Sequence, residues 1–179
     1  MMASKFGRPG HSTRRSMRKK QAKTATKLAI AAGHAEGGTA LNAFDNALLA
    51  AGIGNVNLLK VSSIVPPEAE LIELPAIRPG ALVPTAYTSI ESALPGQVIS
   101  AAVGLGLPVD PAKPGVIMEF SGPGGREIAE TAVRRMVDEA FRVRQVALRE
   151  VRVAATEHRV ERHGCALAAA VLLTDDLLA

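Results

Sequence analysis

Short apolar runs, separated by proline and glycine, make up most of the chain after residue 27. Many of them are rich in β-branched residues or alternate with polar ones, which is typical of strands. Turn residues such as Arg78-Pro-Gly80 and Leu94-Pro-Gly96 separate them. The pattern predicts strands at residues 27–32, 56–65, 71–74, 81–90, 97–105, 116–121, 150–157 and 165–173. The last run is almost wholly apolar, so we expect it at the centre of a sheet.

Two segments have helical periodicity. Thr39 is a good N-cap for a helix over residues 40–51, which Gly52 ends. A longer helix is predicted over residues 125–145, with a buried stripe of Ile128, Ala132, Met136, Val137, Ala140 and Phe141. Strands flanked by two helices indicate an α+β fold, a layered αββα sandwich with mainly antiparallel sheets. Glycines at 33, 37 and 38 predict a flexible loop before the first helix.

Charge is divided unevenly along the chain. Nine of the 21 Lys and Arg lie in residues 1–27, which contain no Asp or Glu. Residues 28–179 hold 12 basic and 17 acidic residues, although the whole chain carries a formal charge of +4. We therefore expect a disordered basic tail over residues 1–24 and one acidic domain over residues 25–179. This distribution argues against nucleic-acid binding by the domain, and no apolar run is long enough to span a membrane.

Cysteine and histidine give little sign of metal or redox chemistry. Cys165 is the only cysteine and begins an apolar run, so we expect a buried, inert thiol in a reducing compartment. The four histidines are not spaced as ligands with any cysteine pair, and structural or surface roles are expected for them. We predict no metal.

Polar residues interrupt the apolar run that ends at Pro66. Strand alternation places Asn57, Val61 and Ser63 on one face, which brings an amide and a hydroxyl to the same side of the sheet. Buried polar groups are costly unless they are hydrogen-bonded or used. Ser62 and Ser63 are therefore either satisfied by neighbouring backbone or part of a site.

A carboxylate also falls on an apolar stripe in the first predicted helix. Asp45 shares three- and four-residue spacing with Leu41, Leu48 and Leu49, so we expect it to face inward. The pattern leaves two roles open, a capped structural group and a binding group.

Several longer motifs resemble one known family, the pyruvoyl-dependent arginine decarboxylases. They begin with Leu41-Asn-Ala-Phe-Asp45, Ala50-Ala-Gly-Ile-Gly-Asn-Val-Asn57 and Lys60-Val-Ser-Ser-Ile-Val-Pro-Pro67. The resemblance continues in order through Val83-Pro-Thr-Ala-Tyr87, Ile99-Ser-Ala-Ala-Val-Gly104, Gly115-Val-Ile-Met-Glu-Phe120 and Glu157-His-Arg-Val-Glu-Arg-His-Gly-Cys165. It covers about residues 26–179.

An amino-acid decarboxylase needs an electron sink, which ordinary side chains do not provide. Pyridoxal phosphate is not expected, because Lys60 is the only lysine between residues 28 and 112 and no phosphate cup is evident. The resemblance implies a sink made from the chain itself. Ser63 Oγ would attack the Ser62 carbonyl, and elimination and hydrolysis would turn residue 63 into a pyruvoyl group. The products would be a β fragment, residues 1–62, and an α fragment, residues 63–179.

The resemblance also implies roles for individual residues. The pyruvoyl ketone would accept the substrate amine as a Schiff base, and Glu119 would be the proton donor after decarboxylation. Apolar neighbours from Val116 to Phe120 suit a general acid, because apolar surroundings disfavour an ionised carboxyl. Asp45 would bind the substrate guanidinium. Asn57 would donate either to an oxyanion during self-cleavage or to the substrate carboxylate.

These expectations describe a cytoplasmic enzyme that converts L-arginine to agmatine and CO2. The resembling family builds its sites between subunits, so a homotrimer or a dimer of trimers is expected. Two alternatives stay open. One is the same chemistry on lysine, ornithine or aspartate, and the other is an unprocessed, non-catalytic homologue that binds or regulates a partner.

Overall fold

The structure is a computed structural model that describes residues 24–179. The predicted basic tail lies outside this range, apart from Thr24. The strands are β1 (Lys27–Glu36), β2 (Asn57–Lys60), β3 (Ile64–Val65), β4 (Glu70–Leu71), β5 (Leu82–Ser92), β6 (Val98–Pro108), β7 (Gly115–Pro123), β8 (Leu148–Arg159) and β9 (Gly164–Leu173). The helices are α1 (Ala40–Ala50) and α2 (Arg126–Arg144), and a 3-10 turn follows at Asp175–Leu177. No helix in the described range is long and apolar enough to cross a membrane.

Two sheets form the sandwich. The first has the strand order β2-β5-β9-β1-β4 and the second has the order β3-β7-β6-β8. The pairs β1–β4 and β2–β5 are parallel, and the other pairs are antiparallel. β9 lies in the middle of its sheet, and all but one of its residues are buried, which confirms the prediction from its apolar sequence.

The two helices cover the outer faces of the sandwich. α1 packs on the first sheet through Ala43, Ala47 and Leu48, and its N-cap is Thr39, whose hydroxyl accepts from the Asn42 N–H at 3.2 Å. α2 packs on the second sheet, where Val133 and Phe141 are buried. The core between the sheets is aliphatic. The predicted αββα sandwich is therefore confirmed.

The predicted strand over residues 56–65 is wrong as a single element. The chain forms β2 in the first sheet, leaves it at Val61, and joins the second sheet as β3. Alternation along a sequence cannot reveal this change, because β2 and β3 both contain apolar residues although they pair in two different sheets. The consequence is that Ser62 and Ser63 lie at the crossing between sheets, outside both ladders.

Two other predictions need correction. β1 continues through Gly33 to Glu36, where a flexible loop was expected, because Gly33 lets α1 pack directly on the strand. On α2 the buried stripe is rotated from the predicted one. Ile128 and Met136 are exposed, whereas Ala129 and Val133 are buried.

Candidate active site

The crossing between the sheets holds Ser63 in a tight turn. The Ile64 N–H donates to the Ser62 carbonyl at 2.8 Å, which makes Ser63 the central residue of a three-residue turn. The Ile117 N–H of β7 donates to the Ser63 carbonyl at 2.9 Å. Ser62 is exposed and Ser63 is half-buried. The carbonyl of the peptide that joins the two serines is thus held by one backbone hydrogen bond, the next peptide is held by β7, and Ser62 is open to water.

Glu119 is the hydrogen-bond partner of Ser63. The Ser63 hydroxyl donates to Glu119 Oε1 at 3.0 Å, and both side chains are partly buried. Glu119 lies on β7 opposite Val103 of β6, two residues beyond Ile117, whose side chain is in the core between the sheets. Strand alternation therefore directs Glu119 into the layer between the sheets, at the edge where β3 joins.

The apolar surroundings expected for Glu119 are only partly present. Met118 and Phe120 point to the opposite face of β7 and pack toward α2, so they do not surround the carboxyl. Polar groups continue along the Glu119 face instead. Ser121 Oγ lies 2.8 Å from Thr88 Oγ1 on the facing sheet, and it donates to the Ser89 carbonyl at 3.1 Å.

The sequence pattern does not single out Thr88 and Ser121. Each contributes one hydroxyl to a largely apolar strand, Thr88 in β5 and Ser121 in β7, and such residues are common in strands. Only the folded chain shows that the two strands face each other and that the hydroxyls meet. With Ser63 and Glu119 they form a polar line at one side of the apolar layer between the sheets. Ser63 bonds to Glu119 and Thr88 bonds to Ser121, so each of these four side chains has a hydrogen-bond partner.

Asp45 is exposed on α1, so the prediction of an inward carboxylate is wrong for the single chain. The buried stripe of α1 consists of small residues, Ala43 and Ala47, with Leu48, while Leu41 is 74% exposed and Leu49 is 50% exposed. Spacing alone favoured the leucines, but close packing on Gly33 requires alanines there. Leu41 and Asp45 thus form an outward-facing surface.

Asn57 begins β2 and is also exposed. Its side-chain amide donates to the Gly80 carbonyl at 3.0 Å. At the other end of β2, Lys60 Nζ lies 4.9 Å from the centre of the Tyr87 ring. Within residues 24–179, no hydrogen bond joins Asp45 or Asn57 to Ser63 or Glu119. The single chain therefore brings together Ser63 and Glu119, and leaves the other two predicted site residues on its surface.

A second polar cluster lies at the end of the sandwich where β1 and β8 finish. The Glu36 carboxylate accepts from His158 Nε2 at 2.7 Å and from the backbone N–H groups of Glu161, Arg162 and His163 at 2.8 to 3.1 Å. Burial alone would raise the pKa of Glu36, but these donors lower it to about 2. Glu36 therefore fastens β1 to the β8–β9 turn, which is a structural role.

His34 completes this cluster, with its Nδ1 3.0 Å from Nδ1 of His158. Burial, and then the nearby His158, lower the pKa of His34. Since His158 Nε2–H donates to Glu36, a neutral His158 accepts at Nδ1 and His34 donates. Within the described range, no group of three or more His, Cys, Asp or Glu could hold a metal ion.

Cys165 is the second residue of β9, on the face that packs toward α1, and is fully buried. Burial, together with the nearby Glu91 carboxylate, raises the pKa of the thiol to about 12. Because the thiolate is the reactive form, this environment agrees with the expected inert thiol.

Comparison with known proteins identifies the family. Residues 27–177 match the family described as pyruvoyl-dependent arginine decarboxylase. A protein of that name from Methanocaldococcus jannaschii is 51% identical over 145 residues, which cover 81% of this chain and 88% of the relative. Another, from Pyrococcus furiosus, is 50% identical over 152 residues, which cover 84% of this chain and 96% of the relative.

Among solved structures, a pyruvoyl-dependent histidine decarboxylase aligns with 57% of this chain and 55% of its own, with a TM-score of 0.48 and 14% identity. That likeness is too weak to support an argument. The family match and the two relatives confirm the resemblance found in the sequence motifs. The chain, with Ser63 and Glu119 in contact where its two sheets meet, belongs to the pyruvoyl-dependent arginine decarboxylase family.

Proposed function

We propose that this protein converts L-arginine to agmatine and CO2 with a pyruvoyl group that it makes from its own Ser63. The observation that carries the proposal is the 3.0 Å hydrogen bond from Ser63 Oγ to Glu119 Oε1, in a partly buried site at the edge where the two sheets meet. The family depends on a covalent pyruvoyl group rather than on pyridoxal phosphate. A serine held in a tight turn beside a carboxyl fits the formation of that group.

Self-cleavage follows from the chain's own groups. Ser63 Oγ attacks the Ser62 carbonyl carbon, so that a C–O ester bond forms and the C–N bond between the serines breaks. The Ile64 N–H already donates to the Ser62 carbonyl oxygen and would stabilise its developing negative charge. Elimination then frees the Ser62 carboxylate, and water replaces the residue 63 nitrogen, which leaves as ammonia. Residues 1–62 become the β fragment and residues 63–179 become the α fragment of a domain that starts near residue 25.

Glu119 is proposed as the proton donor of the decarboxylation. When formed, the pyruvoyl group supplies the sink for the electron pair that remains as CO2 departs. Glu119 Oε1 lies within hydrogen-bond reach of residue 63, so a proton held there can be delivered beside the reacting carbon. Ser62, which follows the exposed end of β2, contributes a new carboxylate and its hydroxyl to the same place.

Asp45 is proposed to bind the substrate guanidinium through two charge-assisted hydrogen bonds. Its exposure on α1 supports a site that a second copy of the chain completes, as does the exposure of Asn57. Asn57 would then donate to an oxyanion or to the substrate carboxylate. We propose a homotrimer, or a dimer of trimers, in the cytoplasm, where a reducing environment suits the lone Cys165.

A substrate comparison tests this proposal. Purified protein is incubated separately with L-arginine, L-lysine, L-ornithine and L-aspartate, and CO2 and the product amine are measured together. We expect equal amounts of CO2 and agmatine from arginine, the highest kcat/KM for arginine, and no turnover by Ser63→Ala. Faster turnover of another amino acid would contradict the arginine assignment. An inactive protein that binds a partner without cleaving itself would support the non-catalytic alternative.

A further inference from the structure

A cleft of about 360 Å³ opens at the end of the sandwich, beyond the point where the chain leaves β3. Its floor is apolar and includes Val65, Leu71 and Leu107. Ser63 and Glu119 do not line it, so it is separate from the candidate active site. A concave site of this volume, with an apolar floor and a few polar groups, is of the kind that holds small molecules.

One side of the cleft presents two guanidinium groups. Glu150 holds both, because Arg149 Nη2 lies 3.2 Å from its Oε1 and Arg152 Nε lies 2.7 Å from its Oε2. Each arginine uses one N–H group in this way and keeps its others for a further acceptor. Glu150 therefore positions a pair of guanidinium groups that can receive a carboxylate through charge-assisted hydrogen bonds.

The segment between β3 and β4 supplies two carboxylates, Glu68 and Glu70, to the lining of the cleft. Glu68 has φ 60, which is uncommon for a residue with a side chain, and its N–H donates to the Pro111 carbonyl at 2.9 Å. Neither carboxylate accepts a hydrogen bond from any residue in the range 24–179. Asp175, which is ion-paired with Lys27, raises the pKa of that lysine, and the more distant Glu70 adds to this effect. These carboxylates can receive a cation.

We propose that this cleft binds an α-amino acid with a cationic side chain, in addition to the substrate at the active site. The ligand carboxylate would lie on Arg149 and Arg152, its aliphatic chain on the apolar floor, and its cationic end at Glu68 and Glu70. A ligand that carries only positive charge would be repelled by the two arginines and by Lys113, which also lines the cleft. A dicarboxylate would be repelled by Glu68 and Glu70, and also by Glu150, whose carboxylate lies between the two arginines.

The cleft shares a wall with the strands that hold the active site. Val65 and Gly115 both line it, and they are paired partners of β3 and β7. Gly115 is closely packed, since a Cβ there would collide with the Gly106 carbonyl. Ser63 lies two residues before Val65, and Ile117 lies two residues after Gly115. The Ile117 N–H donates to the Ser63 carbonyl, so the wall of the cleft continues into the candidate active site. Amide signals from this wall therefore report on the ligand directly.

The test is a titration of the full Ser63→Ala chain, monitored by backbone amide NMR; under the proposed function this variant is expected not to turn over substrate. L-Arginine should cause saturable shifts at Leu71, Gly115 and Arg152, and agmatine, which lacks the carboxylate, should not. The double variant R149Q/R152Q should raise the dissociation constant measured at these amides by about tenfold or more. The control Arg134→Gln, on the exposed side of α2, should leave it unchanged.

Absence of saturable shifts in the cleft, equal shifts with agmatine, or an unchanged dissociation constant in R149Q/R152Q would each overturn the proposal. If that variant does not fold, E68Q/E70Q tests the opposite side of the cleft and should weaken arginine binding similarly. Shifts at the cleft without shifts near Asp45 would uphold the cleft while counting against the proposed arginine site. Shifts near Asp45 alone would do the reverse.

Discussion

Ser63 and Glu119 lie 56 positions apart in the chain but within one hydrogen bond of each other, and the local pattern gave each of them only a weak signal. A serine pair in an apolar run and a glutamate in a strand are each compatible with ordinary structure. Their contact at the crossing between sheets distinguishes them from the other polar residues of the strands, because there a partly buried hydroxyl is hydrogen-bonded to a partly buried carboxyl.

Replacing Glu119 should separate catalysis from folding. Glu119→Gln keeps the size of the side chain and an oxygen for Ser63, but it cannot donate a carboxyl proton. We expect kcat for agmatine formation to fall by about 10²–10⁴-fold, the usual range for loss of a general acid. Rates are taken per cleaved chain, so that any effect on self-cleavage is counted separately. Glu127→Gln, in the exposed first turn of α2, is the control, and an unchanged kcat in Glu119→Gln would remove Glu119 from the mechanism.

Glu36 makes a prediction about acid stability. Its pKa is lowered to about 2 in the folded chain from an ordinary value of 4.5, so the folded state holds the charged form more strongly than the unfolded state. The stabilisation is present above pH 4.5 and is lost as the pH falls toward 2. Glu36→Gln should lower the free energy of unfolding at pH 7 by about 2 kcal/mol, because charge-assisted hydrogen bonds are lost.

Urea unfolding at several pH values measures this effect. The wild-type chain should lose stability more steeply than Glu36→Gln between pH 4.5 and 2. Glu161→Gln, an exposed carboxylate in the same turn, serves as the matched control and should follow the wild type. If the free energy of unfolding depends on pH in the same way in the wild type and Glu36→Gln, the Glu36 carboxylate does not stabilise the contact between β1 and the β8–β9 turn.

At the level of elements, the sequence predicted most strands and both helices, because their patterns reflect one face in the core and one outside. The sequence pattern fails where packing against another element decides which sheet a strand joins or which face of a helix is buried. Residues 56–65 read as one strand although β2 and β3 pair with different sheets. The hydrophobic pattern predicts Asp45 on the inner stripe of α1 because leucines outweigh alanines in it, whereas close contact with β1 requires the smaller residues.

Gly33 is where that contact is made. A Cβ at this position would collide with the Ala47 carbonyl and the Ala51 amide of the helix end, both of which are backbone groups. Gly33→Ala should therefore push α1 away from β1 and destabilise the chain by roughly 1–3 kcal/mol. Thermal unfolding measures the loss. Gly38→Ala, where the nearest atom to a Cβ is 3.9 Å away, is the control and should cost much less.

For the whole molecule, the central question is what completes the site. Asp45 and Leu41 on α1 and Asn57 on β2 are exposed, and Ser63 and Glu119 lie at a sheet edge. The sequence could indicate these residues through the family resemblance, but it could not show that a single chain leaves them apart. Surface placement of half the site is the structural reason for proposing that subunits share it.

Mixing two inactive variants tests this sharing. Asp45→Ala retains Ser63, and Ser63→Ala retains Asp45, so each is expected to be inactive alone. After co-refolding at equal amounts, random assembly of shared sites should give about a quarter of wild-type agmatine formation, since each site then needs one correct residue from each of two subunits. No recovered activity in assembled mixtures would mean that Asp45 and Ser63 act within one chain, whereas full activity of Asp45→Ala alone would mean that Asp45 has no role.

The intact mass of the purified protein under denaturing conditions tests self-processing at Ser63. We predict two species, one of residues 1–62 and one of residues 63–179, the second lighter by one ammonia than the simple hydrolysis product. Ser63→Ala should give one uncut chain. A wild-type chain that stays whole after long incubation would contradict self-processing at Ser63, and with it the proposed enzyme.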